Sequence, residues 1–396
     1  MLPNLMQSFH PENIPLAISS FRLGGEVPVL NDEYMDGGEC RIFKVHFLDG
    51  ETWSVRIPIH AQSDSQDAII GIIRGELGVL QEIQEIGASG FPWAPKLHGS
   101  SSTFKNSVGC PFIVLSWIEG SPLRWTADYP PRLVRNKILG QVAEIQMSLI
   151  ECTKENRGSA TEYFTRIIDN KFSRVRNGHL PDITERDCLD QQRLLPEVLH
   201  PELEDAPFAI DHGDLSPSNI IVDSDHNITG IIDWGFASKV PVQLAGRFPR
   251  FLQLQELVMP ASPTLQEDRE TYVASLTSQT SQVASWMALI CSSDDAVVGH
   301  DESNVAGGTA DVGEGREQAF GTSELLAAFR AEGVEECVQD EYWVAGGAGV
   351  GLKRPPPRLQ MLEDMRKKTL DELADGWSNG EDDSETAGGE GRRAAA

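Results

Sequence analysis

Basic residues are scarce in this chain. Lys and Arg number 33 against 60 Asp and Glu, a formal net charge of -27 at pH 7. Loose binding to nucleic acid or to an anionic membrane needs basic surface, so the deficit argues against both as partners. It suits a cationic substrate, and it serves solubility equally well. Cysteines are few and stand apart: Cys40, Cys110, Cys152, Cys188, Cys291 and Cys337 form no Cys-x-x-Cys pair. That spacing excludes a zinc site or a disulfide framework and points to isolated thiols in a reducing compartment. Long apolar runs are missing too, since the most apolar stretch, residues 112–118, is far short of a membrane span. The opening MLPNLMQSFHPENIPL has no basic segment followed by an apolar run. The expectation is a cytoplasmic protein with no membrane partner. No internal repeat is visible. What the chain does have is 40% hydrophobic residues over 396 positions, enough for two lobes around a sizeable core.

The chemistry concentrates in residues 208–236, FAIDHGDLSPSNIIVDSDHNITGIIDWGF. His212, Asp214 and Asn219 follow a His-x-Asp-x-x-x-x-Asn spacing, and Asp233 comes after a second apolar run. Residues 220–222 and 228–232 read as short strands flanking DSDHN, a cluster of turn formers. If they pair about His226, Asn219 and Asp233 lie opposite each other at the open end of the hairpin. Two oxygen ligands then meet there, which suits a hard cation such as Mg²⁺ shared between protein and phosphate. Asp214 sits on the loop just before, within reach of a substrate hydroxyl. Metal ligands for phosphates and a carboxylate to orient the nucleophile are what phosphoryl transfer requires. Taken alone, the first element also reads as an ordinary strand entry. The paired apolar runs and an Asp-Trp-Gly at hairpin distance favour the catalytic reading.

This stretch resembles the catalytic and metal-binding loops of the aminoglycoside phosphotransferase/choline kinase-like family, and most of all its fungal phosphotransferase family members. The resemblance spans roughly residues 30–290 and is strong over 206–252. It implies an α/β (α+β) fold of protein-kinase type in two lobes. A small antiparallel-sheet lobe over residues 1–117 would bind nucleotide, with a hinge near Trp117, and a larger, mainly helical lobe over 118–379 would carry both loops. ATP (or GTP) and Mg²⁺ are the implied cofactors, and a hydroxyl-bearing small molecule is the implied acceptor. Asp214 becomes the base or orienting carboxylate, and Asn219 and Asp233 the magnesium ligands. His212 reads as a loop anchor, since the sequence offers it no relay partner.

Residues 37–58, GGECRIFKVHFLDGETWSVRIP, contain two strand-like runs, 41–47 and 52–57, around the turn residues Asp49 and Gly50. Gly37 and Gly38 precede the first, where backbone amides could approach a phosphate. The pair is an incomplete glycine-rich loop and reads equally as a plain turn. In the family, the strand after this turn carries a basic residue that holds the nucleotide phosphates. The matching position is Arg56, where many relatives have Lys. Residues 67–87 read as a helix, with Ile69, Ile73, Leu80 and Ile83 at helical spacing and Gly87 as its stop, weakened by Gly71, Gly75 and Gly78. Glu76 falls within the same apolar stripe, where a carboxylate is costly unless it finds a cation or donors. The resemblance supplies Arg56 as that cation. Pro92 and Pro95 mark a loop, and residues 96–101 and 112–115 follow, the second a core strand ending in Trp-Ile-Glu-Gly. This end resembles the family's hinge, where adenine would bond to backbone around Ser116, Trp117 and Ile118.

Residues 130–152 read as a long helix buried through Leu133, Ile138, Val142, Ile145 and Leu149. Further helices are expected at 163–172 and 188–199. VPVQLAGRFPRFL resembles the segment that leads into the C-terminal helices of fungal relatives, placed here at 265–289 and 324–338. Residues 292–321, rich in Gly, Ala, Asp and Glu, read as a flexible insertion, and 380–396 as a disordered acidic tail. Two other functions stay open. A catalytically weak or inactive nucleotide-binding protein is favoured by Arg56 and the incomplete glycine loop, and opposed by the intact Asp214, Asn219 and Asp233. A protein kinase is opposed by the lack of an Ala-Pro-Glu or an activation segment after Asp233. No motif names the acceptor or a protein partner.

Overall fold

A computed structural model describes residues 9–296 of the chain apart from 38–39, 59–65, 87–90, 182 and 254–261. They form a small sheet-rich lobe followed by a larger, mainly helical one. In the small lobe a short helix, α1 (Ile14–Ser19), precedes the strands β1 (Val29–Asp36), β2 (Cys40–His46) and β3 (Thr52–Pro58). The long helix α2 (Gln66–Glu85) follows, and then β4 (Leu97–Ser101) and β5 (Phe112–Ser116). The five strands make one antiparallel sheet in the order β1-β2-β3-β5-β4. Strand side chains alternate between faces. Trp53, Val55 and Ile57 of β3 therefore join Phe112 and Val114 of β5 in one core with Ile14 and Ile18 of α1. Ile113 and Leu115 point the other way, into the core shared with α2. Arg56 is out of phase with Val55 and Ile57, and so it faces α2.

The strands at 41–47 and 52–57 and the helix at 67–87 appear within about two residues of their expected bounds. Ile69, Ile73, Leu80 and Ile83 are all buried, and Glu76 among them is 3% exposed. β1 was not anticipated. Its sequence, VLNDEYMD, breaks the apolar pattern because it is an edge strand, with Val29, Tyr34 and Met35 exposed.

The large lobe opens with β6 (Ser121–Pro122), α3 (Arg132–Thr153), α4 (Ala160–Arg176) and α5 (Glu185–Val198). Capping boxes, Ser159 with Glu162 and Thr184 with Asp187, start α4 and α5. Next come β7 (Phe208–Asp211), β8 (Ile220–Val222), β9 (Ile228–Ile231), β10 (Ser238–Pro241) and the single turn α6 (Val242–Ala245), then α7 (Pro263–Thr277) and α8 (Gln282–Ala296). β6, β8 and β9 form a small sheet, and β7 pairs with β10. α3 buries Ile138, Val142, Ile145 and Leu149, but Leu133 is 85% exposed. It lies five residues before Ile138, which on a 3.6-residue helix turns it off the stripe, and Val134 packs on the core instead.

The run at 265–289 is two helices, not one. It breaks after Ser278, and the Ser281 hydroxyl accepts the N–H groups of Val283 and Ala284 to start α8. α8 then continues to Ala296, so residues 292–296 are helical where a flexible insertion was expected. The rest of that insertion, the helix at 324–338 and the tail at 380–396 lie outside the described residues. Among the described residues the five cysteines are free thiols, and no helix is long and apolar enough to cross a membrane.

Candidate active site

β7 delivers His212, Gly213 and Asp214 to the site, and Gly213 makes the delivery possible. Its φ is +75°, and a Cβ there would sit 2.0 Å from the Phe236 carbonyl oxygen. Only glycine accepts both the conformation and the approach. The turn after Asp233 (Trp234–Phe236) therefore lies directly against the loop that carries Asp214. His212 joins the two. Its Nε2 bonds the Ile232 carbonyl at 3.0 Å, its Nδ1 accepts the Asp214 N–H at 3.3 Å, and its ring meets Trp234 edge-on. Burial lowers its pKa, so it stays neutral with the proton on Nε2.

Asp214 is 5% exposed, and its two carboxylate oxygens face different neighbours. Oδ2 is 3.3 Å from Asn219 Nδ2, which also donates to the Asp214 backbone carbonyl at 2.8 Å. Oδ1 accepts from Arg250 Nη1 at 2.6 Å. With its Nδ2 turned to Asp214, Asn219 keeps an Oδ1 that accepts no hydrogen bond among the described residues.

The β8–β9 hairpin pairs Ile220 with Ile231 and Ile221 with Gly230, then slips so that Val222 meets Ile228. It is thus not centred on His226. The slip absorbs one residue beside a turn in which His226 takes a positive φ of 59°. Asn219 consequently faces Ile232, whose N–H it accepts at 2.9 Å, and Asp233 follows one residue on. There the backbone enters the left-handed region, φ 66°, and the strand ends.

Arg56 reaches Asp233 from the small lobe. Its Nη2 donates to Asp233 Oδ1 at 2.8 Å, and its Nη1 pairs with Glu76 Oε1. The same Nη2 lies 3.7 Å from Cys40 Sγ. Burial works against the guanidinium charge, but Glu76, Cys40 and Asp233 together outweigh it and raise the pKa of Arg56. The Cys40 thiol is pushed up to about 11, mainly by burial. Asp233 Oδ2 accepts no hydrogen bond among the described residues. No group of three His, Cys, Asp or Glu side chains able to hold a metal occurs among them either. The donor set is thus two oxygens, Asn219 Oδ1 and Asp233 Oδ2, one amide and one carboxylate. It fits a hard divalent cation that takes its other ligands from phosphate and water.

At the end of β5, the N–H of Ser116 bonds the Lys96 carbonyl at 2.8 Å and that of Trp117 the Thr52 carbonyl at 3.0 Å. Both donors are spent within the protein. Of the three expected adenine contacts, only Ile118 keeps an N–H without a partner among the described residues. Gly37 N–H likewise closes its own turn on the Cys40 carbonyl at 2.8 Å, and Gly38 lies outside the described residues.

Sequence reasoning missed two cations here. Arg250 comes 36 residues after Asp214, on a turn with no periodic pattern. Lys239 of β10 pairs with Glu82 of α2 and, at 2.9 Å, with Glu155, adding a second link between the lobes.

Solved phosphotransferase structures resemble the chain, among them three with the following likeness. An assigned aminoglycoside phosphotransferase from Ralstonia eutropha JMP134 shares 14% identity, with 86% of this chain and 100% of that one covered and a TM-score of 0.48. An aminoglycoside-3'-phosphotransferase of type VIII shares 18%, over 69% of this chain and 96% of that one, at a TM-score of 0.40. The macrolide 2'-phosphotransferase MphH from Brachybacterium faecium shares 15%, over 72% and 90%, at 0.41. No curated protein matches the chain. The sequence pattern of the phosphotransferase enzyme family matches residues 37–242, just over half of the chain. That span holds Arg56, Glu76, Asp214, Asn219 and Asp233, and the chain belongs to the phosphotransferase enzyme family.

Proposed function

We propose that this protein transfers the γ-phosphoryl group of ATP (or GTP) to a hydroxyl of a small molecule. The observation that carries the proposal is one continuous polar chain. Glu76 holds Arg56, Arg56 holds Asp233, and one residue before Asp233 the chain is pinned to Asn219, which clasps Asp214. In this reading Asp214 orients the acceptor hydroxyl and receives its proton as the oxygen attacks the γ-phosphorus. The bond to the bridging oxygen breaks, and the nucleoside diphosphate leaves. Arg56, positioned by Glu76, holds the α- and β-phosphates, and the backbone at Ile118 is the donor left for the base. Mg²⁺, held by Asn219 and Asp233, would neutralise phosphate charge. His212 fixes the loop and moves no proton, because both its ring nitrogens are engaged with backbone.

The test is an ADP-release screen of the full chain with Mg²⁺ across aminoglycosides, choline, sugars, homoserine and fungal metabolites. Acceptor-dependent ADP release that disappears in Asp214→Asn is the expected result. Nucleotide binding without release on any acceptor would instead favour a binding protein, and transfer to a protein substrate would favour a protein kinase.

A further inference from the structure

Arg250 is half-exposed at 46%, yet its Nη1 is 2.6 Å from the oxygen of a carboxylate that is only 7% exposed. Its remaining nitrogens, Nε and Nη2, meet no acceptor among the described residues. A guanidinium is a planar fork of donors whose shape matches a carboxylate or a phosphate. Here one prong is engaged with Asp214, and among the described residues the other donors remain to be used.

Its position says which reactant those donors face. Asp214 Oδ2 lies toward Asn219 and so toward the proposed metal and phosphates. Arg250 is on Oδ1, the other oxygen, which in the phosphotransfer reading is the side left for an acceptor. The turn that holds it (Arg250–Leu252) is well anchored. Leu252 is fully buried, and Gln253 Nε2 bonds the Phe248 carbonyl at 2.7 Å. Phe251 meets the Trp125 ring edge-on at 5.1 Å. The Arg135 guanidinium covers Trp125 at 3.9 Å and is itself clamped to the buried Asp268 at 2.6–3.0 Å. Arg250 is therefore a fixed cation beside the catalytic carboxylate, with an aromatic wall next to it, in a chain whose net charge is -27.

We propose that Arg250 selects acceptors carrying an anionic group, a carboxylate or a phosphate, close to the hydroxyl that is phosphorylated. This rests on the phosphotransfer reading above. The anion pairs with the free edge of Arg250 and the hydroxyl is left on Asp214. A cationic acceptor would meet a guanidinium at the same place.

The test is calorimetric titration of the full chain, loaded with Mg²⁺ and a non-hydrolysable ATP analogue. The probes are gluconate, glucose and glucosamine, and glycerol 1-phosphate against glycerol. The anionic members should bind tighter than their uncharged counterparts by about tenfold to a hundredfold, the effect of hydrogen bonds to a charged group. Arg250→Gln should collapse that difference and Arg250→Lys should keep part of it, with melting temperatures confirming that both variants fold. Absence of an anionic preference in the wild type overturns the proposal, as does a preference that survives Arg250→Gln. An equal loss of kcat on every acceptor in Arg250→Gln would place Arg250 on the transferred phosphoryl group and would also overturn it. Anionic preference without ADP release on any acceptor leaves the selection standing and defeats phosphotransfer. ADP release on neutral or cationic acceptors with selectivity unmoved in Arg250→Gln does the reverse.

Discussion

Removing the Arg56 guanidinium takes the ion-pair cation from two carboxylates, and their exposure sets what each one costs. The Glu76 side chain is 3% exposed and that of Asp233 40%, with Arg56 itself at 12%. Breaking a buried ion pair by deleting one partner costs about 3–5 kcal/mol. A pair that water reaches contributes no more than about 1 kcal/mol. Arg56→Ala should therefore destabilise the protein by about 3–5 kcal/mol, nearly all of it from Glu76 left charged inside the α2 stripe. Glu76→Gln alone removes that charge and leaves Arg56 with Asp233 and Cys40, so it should cost less, about 1–3 kcal/mol. The double variant buries no bare carboxylate. Its loss should fall short of the sum of the two single losses by roughly 2 kcal/mol, a coupling of the size contacting residues show. Urea unfolding followed by tryptophan fluorescence measures the cycle, and nucleotide titration accompanies it. Adding Glu76→Gln to Arg56→Ala should therefore cost little further stability, and it should not restore nucleotide affinity. Single losses that add to within about 0.5 kcal/mol would refute the coupling.

Asp214→Asn should lower turnover by roughly 10² to 10⁴ while nucleotide affinity stays close to that of the wild type; a near-normal kcat would remove Asp214 from the chemistry. Asp233→Asn should weaken nucleotide binding far more with Mg²⁺ than without it, and equal losses in the two titrations would count against Asp233 as a metal ligand. Acid should destabilise the protein partly through His98, whose pKa is pulled down to about 4 by burial and then by Lys96. The unfolded chain accepts a proton that the folded protein refuses, so stability present at neutral pH is lost as pH falls from the ordinary imidazole range toward that value. His212, with its pKa also lowered, acts in the same direction. His98→Gln should flatten the loss of stability over that window, and an unchanged pH curve would exclude His98 as a contributor.

Periodicity made β2, β3 and α2 legible, because each buries one face and repeats at 2 or 3.6 residues. The same signal exposed Glu76, a carboxylate inside an apolar stripe whose burial required a partner. Features set by single torsions or by distant pairs carried no such signal. The bulge in the β8–β9 hairpin moves the pairing by one residue, and no apolar pattern announces it. β1 lies on a sheet edge and has no continuous buried face to display. The break between α7 and α8 depends on one serine capping the next helix. Arg250 and Lys239 are isolated cations on irregular or short elements, and their partners are 36 and 157 residues away. Spacing rules do not reach across such distances.

Arginine at position 56 holds two partners that a lysine would not grip in the same way. An ammonium is a compact point charge, whereas a guanidinium presents separate nitrogens in a rigid plane. Arg56 uses Nη1 for Glu76 on α2 and Nη2 for Asp233 at the end of the β8–β9 hairpin, so one side chain joins the small lobe to the large one. Six residues along α2, Glu82 makes the second junction through Lys239. The helix is thus tied to the large lobe at two points on neighbouring turns, and both ties are ionic. The junction at Arg56 has a chemical consequence, because it occupies Asp233 Oδ1 and leaves Oδ2 as the oxygen open to a cation. A divalent cation at Asp233 must therefore share the carboxylate with Arg56, and phosphate oxygens that approach the guanidinium compete with Asp233 for Nη2. On the proposed function, nucleotide, metal and lobe contact would be coupled through this one side chain. Arg56→Lys, which keeps the charge but gives up the fork, should separate them: the pair with Glu76 persists, the tie to Asp233 loosens, and the Mg²⁺ dependence of nucleotide binding changes more than stability does. A loss of stability as large as that of Arg56→Ala, with the Mg²⁺ dependence unmoved, would show that the fork does not carry the coupling.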